Sequence, residues 1–276
     1  MKRSKFLKLS ASLIIISGIS NWAFGSLFNS QKKKKMKLQI KTKQQQHGVS
    51  LFGGKLNENK PLSGEPLYSN LIYWANVEAV EEGTFPMHPH EGIEILTFVF
   101  KGELEHFDTA TNKWTPLPAD AVQHIQAGSG LQHSEKYWKG SRAFQIWFDP
   151  NFSTALTKTP YYKDYQADAF NWKNEHGYEV KSYVGENAPI QTDAPGITAK
   201  RYKLPIGNHT LTLDLNSFHS FYLMEGRIEL EGNTMSKDSF TKTSGLSTLN
   251  VNASEPSELF VLESPITVDY KKVTDR

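Results

Sequence analysis

Short apolar runs separated by turn-forming residues dominate the chain from Leu71 onward. The runs are rich in Val, Ile, Phe, Tyr and Thr, which are enriched in strands, and clusters of Gly, Pro, Asn and Asp separate them. No helical period extends over a dozen residues. The pattern predicts an all-β fold with strands spaced as in a sandwich or barrel. The clearest predicted strands are LIYWANVEAV, EILTFVFKG, ELEHFD, VQHIQAG and RAFQIWFDP.

The same pattern divides the chain into four segments. Residues 36–150 contain the strands above and form a first predicted domain. Residues 151–177 interrupt the pattern with polar and aromatic residues, and we interpret them as a linker that contains one short helix. Residues 178–276 form a second β-rich domain, and residues 1–35 are expected to lie outside the fold.

A stretch of the second domain resembles one in the first. FHSFYLMEGRIELEGNTM aligns with IEILTFVFKGELEHFDTAT, with Gly226 in the place of the glycine of FKGEL. The similarity suggests an internal duplication of one β module. Counting back fourteen and twelve residues from each glycine reaches His88 and His90 in the first copy, but Thr212 and Asp214 in the second. We therefore expect the second domain to lack the chemistry of the first.

Composition and charge narrow the possible functions. The chain has 38% hydrophobic and 22% charged residues, which is ordinary for a folded domain. It has 31 basic and 29 acidic residues, but eleven of the basic ones lie in the first 43 residues, so the remainder is mildly acidic. No basic stripe remains for nucleic acid, and none is expected as a partner. The absence of cysteine excludes disulfides, thiolate nucleophiles and Cys-ligated metal sites.

The first residues suggest two alternative locations for the protein. A basic start, an apolar centre around Leu13 to Ile16, and the small residues Ala23 and Gly25 resemble a secretory signal that ends near Gly25. Serines interrupt the apolar part, which is short for a membrane span. In the alternative, translation starts at Met36 and the protein is cytoplasmic. The first interpretation predicts a periplasmic or envelope-associated protein.

Two pairs of residues have the spacing of metal ligands. Residues i and i+2 of a strand project from the same face, so His88 and His90 can present two imidazoles to one cavity. Pro89 between them suits an edge strand or bulge. About forty residues later, His133 and Glu135 repeat the arrangement. On facing strands, the two pairs would offer three nitrogens and one carboxylate oxygen to a single divalent transition metal.

This ligand set suits several metals. In six-coordinate iron, manganese, cobalt or nickel, two positions would remain open for water, dioxygen or a substrate oxygen. Tetrahedral zinc would be filled by the four ligands. Glu94 lies four residues after His90, so on an extended strand it would project from the same face. It is either an alternative carboxylate ligand or a partner that orients an imidazole. For the other histidines we expect rings bound to backbone carbonyls. These are His47, His106, His124, His176, His209 and His219. His106 and His124 could also line the same cavity as the predicted ligands.

The motifs resemble those of the pirin family, a branch of the two-domain cupins. The matching stretches are FPMHPHEGIEILTFVFKGELEHFDT, DAVQHIQAGSGLQHSE, FQIWFDP and TPYYKDY, and they cover about Leu51 to Phe170. The resemblance implies two tandem jelly-roll β-barrels with metal ligands at His88, His90 and His133 and at Glu135. It implies iron(II) as the first expectation, with Mn, Co, Ni, Cu or Zn as alternatives. Glu94 then lies behind the ligands, and the C-terminal cupin lacks a metal.

The resemblance also implies a function, in competing versions. Some pirins cleave quercetin with dioxygen, so the first hypothesis is a metal-dependent dioxygenase in which Glu135, as a ligating or swinging carboxylate, removes a proton from a flavonol-like substrate. Phe85, Phe98 and Phe107 either pack such a substrate or belong to the core. The second hypothesis is a redox sensor without enzymatic activity that binds a protein partner through its iron site. In the third, the metal only ties strands together. We expect a monomer.

Overall fold

The structure is a computed structural model that describes residues 38–275, and strands make up most of the regular structure in this part of the chain. The first half contains β1 (His47–Leu51), β2 (Leu56–Lys60), β3 (Leu71–Ala79), β4 (Gly83–His90), β5 (Glu94–Lys101), β6 (Glu103–Asp108), β7 (Lys113–Pro118), β8 (Val122–Gln126), β9 (Leu131–Tyr137), β10 (Arg142–Phe148) and β11 (Tyr161–Tyr165). The second half contains β12 (Trp172–Glu175), β13 (Tyr178–Val184), β14 (Thr198–Leu204), β15 (Gly207–Thr212), β16 (Ser217–Glu225), β17 (Arg227–Leu230), β18 (Asn233–Ser236), β19 (Phe240–Ser244), β20 (Thr248–Ala253) and β21 (Ser257–Pro265). The helices are one α-helical turn, α1 (Phe152–Ala155), and 3-10 turns at Lys43–Gln45, Phe52–Gly54, Ala167–Ala169 and Val273–Asp275.

Each half consists of two sheets with the same strand order. In the first half, a seven-stranded sheet runs β1-β2-β3-β10-β5-β8-β11 and a four-stranded sheet runs β4-β9-β6-β7. In the second half, the corresponding sheets run β12-β13-β14-β21-β16-β19 and β15-β20-β17-β18. The predicted all-β, cupin-type jelly-roll fold is confirmed, and the shared order agrees with the predicted duplication. The described strands of each half form two open sheets rather than a closed barrel.

The large sheets of the two halves pack against each other. A shared core joins Trp74 and Phe144 of the first half to Tyr222, Phe240 and Phe260 of the second. The large sheet of each half also packs on the small sheet of the same half, through separate apolar clusters. Strand β5 is therefore buried on both faces, which explains why EILTFVF is a nearly continuous apolar run rather than an alternating one.

The pairing of the small-sheet strands corrects the expected equivalence of the two copies. His88 pairs with His133 between β4 and β9, and Leu211 pairs with Leu249 at the corresponding place between β15 and β20. The prediction that Thr212 matches His88 was therefore wrong by one residue, because Leu211 occupies that position. Asp214 was wrongly matched to His90 by the same one residue. The second copy has one residue more before its glycine, and β16 contains a register shift in this stretch.

Two segments near the predicted domain boundaries contribute to the sheets. Residues 151–177 contain the expected short helix, but also β11, which pairs with β8, and β12, which pairs with β13. At the other boundary, Lys41 exchanges two backbone hydrogen bonds with Phe240, both of 2.8 Å, and Leu38 is buried in the core of the second half. The chain that precedes the first half is thus attached to the second. The division into two domains stays a prediction.

The predicted signal segment and Met36 lie outside the described residues. Among residues 38–275, no helix has the length and apolar character needed to cross a bilayer. Both predictions about location therefore stay open.

Candidate metal centre

Strand pairing brings the four predicted ligands to one face of the small sheet. His88 lies opposite His133, and Phe85 lies opposite Glu135, in the antiparallel pair of β4 and β9. A bulge between Phe85 and His88 keeps both of these residues on the same face, although they are three positions apart. Residues that lie directly opposite in a sheet share a face, so the two histidines of β4 converge with the histidine and carboxylate of β9.

The three histidines form a compact cluster. The ring centroid of His88 lies 5.0 Å from that of His90 and 4.3 Å from that of His133. The ring centroids of His90 and His133 are 4.8 Å apart. One ligand atom from each histidine lies within 4.8 Å of the others. Glu135 borders the cluster, with its Oε2 atom 4.0 Å from Nε2 of His88. The three histidines could therefore hold one metal ion, with Glu135 beside them.

Several donor atoms of this cluster are buried and lack a hydrogen-bond partner among the described residues. They are Nε2 of His90, Nε2 of His133 and Oε2 of Glu135. A buried polar group without a partner costs about 1–3 kcal/mol, so an arrangement of several such atoms calls for an explanation. Coordination of a cation would satisfy all of them together.

The Nδ1 atoms of His88 and His133 have neighbours that favour one tautomer of each ring. Nδ1 of His88 lies 2.8 Å from the carbonyl oxygen of Pro86, which can only accept, so Nδ1 carries the proton. Nδ1 of His133 lies 3.1 Å from Nε2 of His106, whose own Nδ1 faces Asp108 at 3.6 Å. If Asp108 holds the proton on Nδ1 of His106, His133 donates to His106. Both tautomers leave Nε2 with a free lone pair, as metal binding requires.

Glu135 is held by a chain of side chains from β10. Nε2 of Gln145 donates to Oε1 of Glu135 at 2.8 Å, and Nε1 of Trp147 donates to Oε1 of Gln145 at 3.1 Å. The ring of Trp147 also packs edge-on against His90, with centroids 4.8 Å apart. These contacts fix one carboxylate oxygen and direct the other, Oε2, toward the histidines.

Burial favours the neutral forms of the site residues. Burial, and secondarily the charge of His88, lowers the pKa of His90 to about 4. Burial also lowers the pKa of His106 to about 4, against the opposing effect of Asp108. The pKa of His133 is well below its ordinary value because the ring is buried among three other histidines. Burial raises the pKa of Glu135. His90, His106 and His133 are therefore neutral near pH 7, the protonation state in which imidazole binds metals.

Two cavities flank the cluster. One, of about 250 Å³, is bordered by His88 and Glu135 and has apolar walls that include Leu51, Val77 and Phe85. The other, of about 630 Å³, is more open and is bordered by His90 together with the loop residues Pro89, Glu91, Thr109, Gly130, Leu131 and Gln132. Three of the four predicted ligand residues, His88, His90 and Glu135, therefore line a cavity.

Several sequence interpretations need correction. Glu94 does not orient a ligand imidazole: its Oε1 atom lies 2.5 Å from Nε2 of His124, and its two oxygens accept from the backbone N–H groups of Asp193 and Ala194 in the second half. His124 therefore belongs to this contact between the halves. Of the three candidate aromatic residues, Phe98 lies in the shared core, whereas Phe85 borders the small cavity.

Phe107 packs on Trp114 and is not among the residues that line either cavity. His106 was also misinterpreted, because it binds a predicted ligand rather than a backbone carbonyl. The pairing of β6 with β9 puts it opposite Glu135. The alternation of side chains along ELEHFD indicates which residues share a face with His106. It locates His106 at the site only once the neighbouring strand is known. Gln145, Trp147 and Tyr73 were missed entirely.

Comparison with known proteins shows that the first half contains a domain of a known family. A model described as Pirin matches residues 34–148, a range that contains β4, β6 and β9. The chain carries a pirin domain. The resemblance to the pirin family expected from the sequence is confirmed. A pirin-like protein of Caulobacter vibrioides is 29% identical over 206 residues, which are 70% of this chain and 83% of that protein.

Two further similar proteins have a named activity or a bound metal. A quercetin 2,3-dioxygenase of Escherichia coli K12 is 36% identical over 102 residues, which are 36% of this chain and 42% of that protein. The crystal structure of the bacterial pirin YhhW of Escherichia coli, in complex with nickel(II), matches with a TM-score of 0.69 and 18% identity. That match covers 84% of this chain and 100% of the other. At this identity the likeness shows the fold alone.

Proposed function

We propose that this pirin-domain protein is a metal-dependent dioxygenase of the quercetin 2,3-dioxygenase type. In this proposal His88, His90, His133 and Glu135 hold one divalent transition metal, and the substrate is a flavonol or a related aromatic compound. Dioxygen is the second substrate. Iron(II) is the first expectation for the metal, and nickel(II), which YhhW binds, is one of the alternatives.

The observation that carries the proposal is the group of donor atoms without partners. Nε2 of His90, Nε2 of His133 and Oε2 of Glu135 are buried and lack a hydrogen bond, and Nε2 of His88 faces the same carboxylate. Three imidazoles and one carboxylate suit Fe, Mn, Co, Ni, Cu and Zn. A bound metal of this kind would supply a Lewis acid that holds and polarises a substrate oxygen.

The protein side chains position the substrate and accept its proton. Glu135 borders the small cavity, and its Oε2 atom, as a ligating or swinging carboxylate oxygen, would take the proton of a substrate hydroxyl group while Gln145 holds the other oxygen. The ring of Phe85 and the indole of Trp147 border the same cavity. They exclude water and pack on a flat substrate. A proton acceptor with fixed geometry beside an apolar wall is what the first step of flavonol cleavage requires.

The test is metal-dependent turnover with matched variants. Protein loaded under nitrogen with Fe(II), Mn(II), Co(II), Ni(II) or Cu(II) should consume quercetin and oxygen with at least one of these metals. We expect His133→Ala to lose both metal and turnover, and Glu135→Gln to retain metal but lose most turnover. His209→Ala is the control, because His209 lies on β15 of the second half and contacts the carbonyl of Pro205.

The outcomes separate the competing functions. Absence of turnover with every metal, in protein whose metal content is confirmed by elemental analysis, would contradict the proposal. Redox-dependent capture of a protein partner under those conditions would favour the sensor hypothesis. If the metal only raised the unfolding temperature, a structural role would remain.

A further inference from the structure

The small cavity has a second polar group on the side opposite Glu135. Glu58 and Lys60 of β2 border it, with Nζ of Lys60 3.0 Å from Oε2 of Glu58. The hydroxyl group of Tyr73 donates to Oε1 of Glu58. Only 5% of Glu58 is exposed to solvent. A nearly buried carboxylate in the wall of a cavity is costly unless it binds something.

The order of strands sets the distance between the two polar groups. Gln145, which holds Glu135, lies on β10, whereas Glu58 lies on β2, and β3 separates these strands. Neighbouring strands are about 4.8 Å apart, so the strands that carry Gln145 and Glu58 are about 10 Å apart. Tyr73 lies on the strand between them, and its ring stacks on that of Trp147, with centroids 4.2 Å apart. The cavity is thus bordered by one carboxylate from β9 and another from β2, together with aromatic and aliphatic side chains.

We infer that Glu58 is a specificity-determining residue that accepts a hydrogen bond from a hydroxyl group on the far ring of the substrate. The inference rests on the proposed function, and it adds the class of substrate: an aromatic compound whose metal-facing oxygens lie at one end and a phenolic hydroxyl group at the other. Each oxygen of Glu58 has one protein donor, Tyr73 or Lys60, and a carboxylate oxygen accepts two hydrogen bonds. A vacant acceptor position therefore remains on each.

The charge of the pair favours a hydroxyl group over an anionic group. Lys60 is neutralised by Glu58, and its ammonium group lies 5.3 Å from the centroid of Tyr73. Burial, and secondarily Glu58, raises the pKa of the Tyr73 hydroxyl, which keeps it a donor to the carboxylate. Because the pair has no net charge, a carboxylate or sulfate on the substrate gains no net attraction there. A neutral hydroxyl group can donate to Glu58.

The test compares two flavonols that differ at the far ring. Protein loaded with nickel(II) under nitrogen is titrated by calorimetry with quercetin, and with 3-hydroxyflavone, which keeps the metal-facing oxygens but lacks the other hydroxyl groups. We expect Glu58→Gln to weaken the binding of quercetin by about tenfold or more, since hydrogen bonds to charged groups are strong, and to leave 3-hydroxyflavone within about twofold. Glu81→Gln is the control, because Glu81 forms an exposed ion pair with Lys139 in the same half.

A second variant tests the direction of the effect. Tyr73→Phe keeps the ring that stacks on Trp147 but removes one donor to Glu58, so the binding of quercetin should be unchanged or tighter. If Glu58→Gln weakened the binding of both flavonols equally, or of neither, the inference would be overturned. Glu58 would then have only a structural role in the hairpin of β1 and β2. If the metal-loaded wild-type protein bound neither flavonol, the proposed function and the inference would both fail.

Discussion

The two halves of the molecule have the same strand order but opposite interiors. By strand pairing, the positions of His88, His90, His106, His133 and Glu135 in the first half correspond to Leu211, Leu213, Leu230, Leu249 and Val251 in the second. All five residues of the second half are buried aliphatics in one apolar cluster. The same scaffold therefore carries either five polar side chains or five apolar ones at the same places.

The five apolar side chains of the second half stabilise the fold, whereas the five polar side chains of the first half are suited to binding. Buried imidazoles and carboxylates cost free energy unless they are fully paired, whereas buried aliphatic side chains stabilise by about 1.5–3 kcal/mol each. The second half is packed like an ordinary core, and its large sheet lies against the large sheet of the first half through Tyr222 and Phe260. We infer that the second half supports a first half in which these five positions are kept polar for binding.

The largest expected effect concerns the ends of β4 and β15. His90→Ala removes one of the proposed nitrogen ligands, and we expect the affinity for nickel(II) to fall by more than about a hundredfold, beyond the loss typical of residues behind the ligands. Thr212→Ala, at the end of β15, should leave the affinity unchanged. Calorimetric titration of metal-free protein measures both. Equal affinities of the two variants would contradict the assignment of the ligands.

The second expected effect concerns stability. Leu249→Ala should lower the free energy of unfolding by about 2–5 kcal/mol, because it leaves a cavity in a packed aliphatic core. His133→Ala, the corresponding change in the first half, should cost the metal-free protein less, since Nε2 of His133 has no partner among the described residues and only the hydrogen bond between Nδ1 and His106 is lost. Urea denaturation monitored by circular dichroism provides both values. A larger loss for His133→Ala would reverse the proposed division of roles.

The third expected effect exchanges a residue between the halves. His106→Leu introduces the residue that β17 has at this position, Leu230, and removes the hydrogen bond to His133. We expect the metal affinity to fall by about 10–100-fold, as for other residues that orient a ligand imidazole. The metal-free variant should be at least as stable as wild type, because a buried polar ring is replaced by an apolar one. The affinity is measured by competition with a chelator of known strength, and an unchanged value would exclude an orienting role.

The smallest expected effect concerns the contact between the halves. Glu94→Gln keeps the shape of the side chain but weakens the charge-assisted hydrogen bonds from Asp193 and Ala194, and should cost about 1–2 kcal/mol. Amide hydrogen exchange of residues 193 and 194 should become faster, while metal affinity stays the same. Lys158→Met breaks an exposed ion pair with Asp193 and should cost less than about 1 kcal/mol. A loss of metal affinity in Glu94→Gln would contradict the assignment of Glu94 to the contact between the halves.

Local pattern predicted the strands and the two ligand pairs, because the side chains of a strand alternate between faces with a period of two. The pairing of His106 with Glu135, and of Gln145 with that same carboxylate, depends on which distant strands become neighbours. No local pattern contains that information. The same limit explains β11, whose YYKDY reads as polar linker because it is an edge strand.

The attachment of Lys41 to Phe240 has a consequence for biosynthesis. A chain that emerges from the ribosome in order exposes Leu38 and Lys41 about two hundred residues before their partners on β19 exist. The segment around Lys41 therefore stays without this partner until β19 has been synthesised. Its docking is expected to follow the formation of the sheet that contains β19.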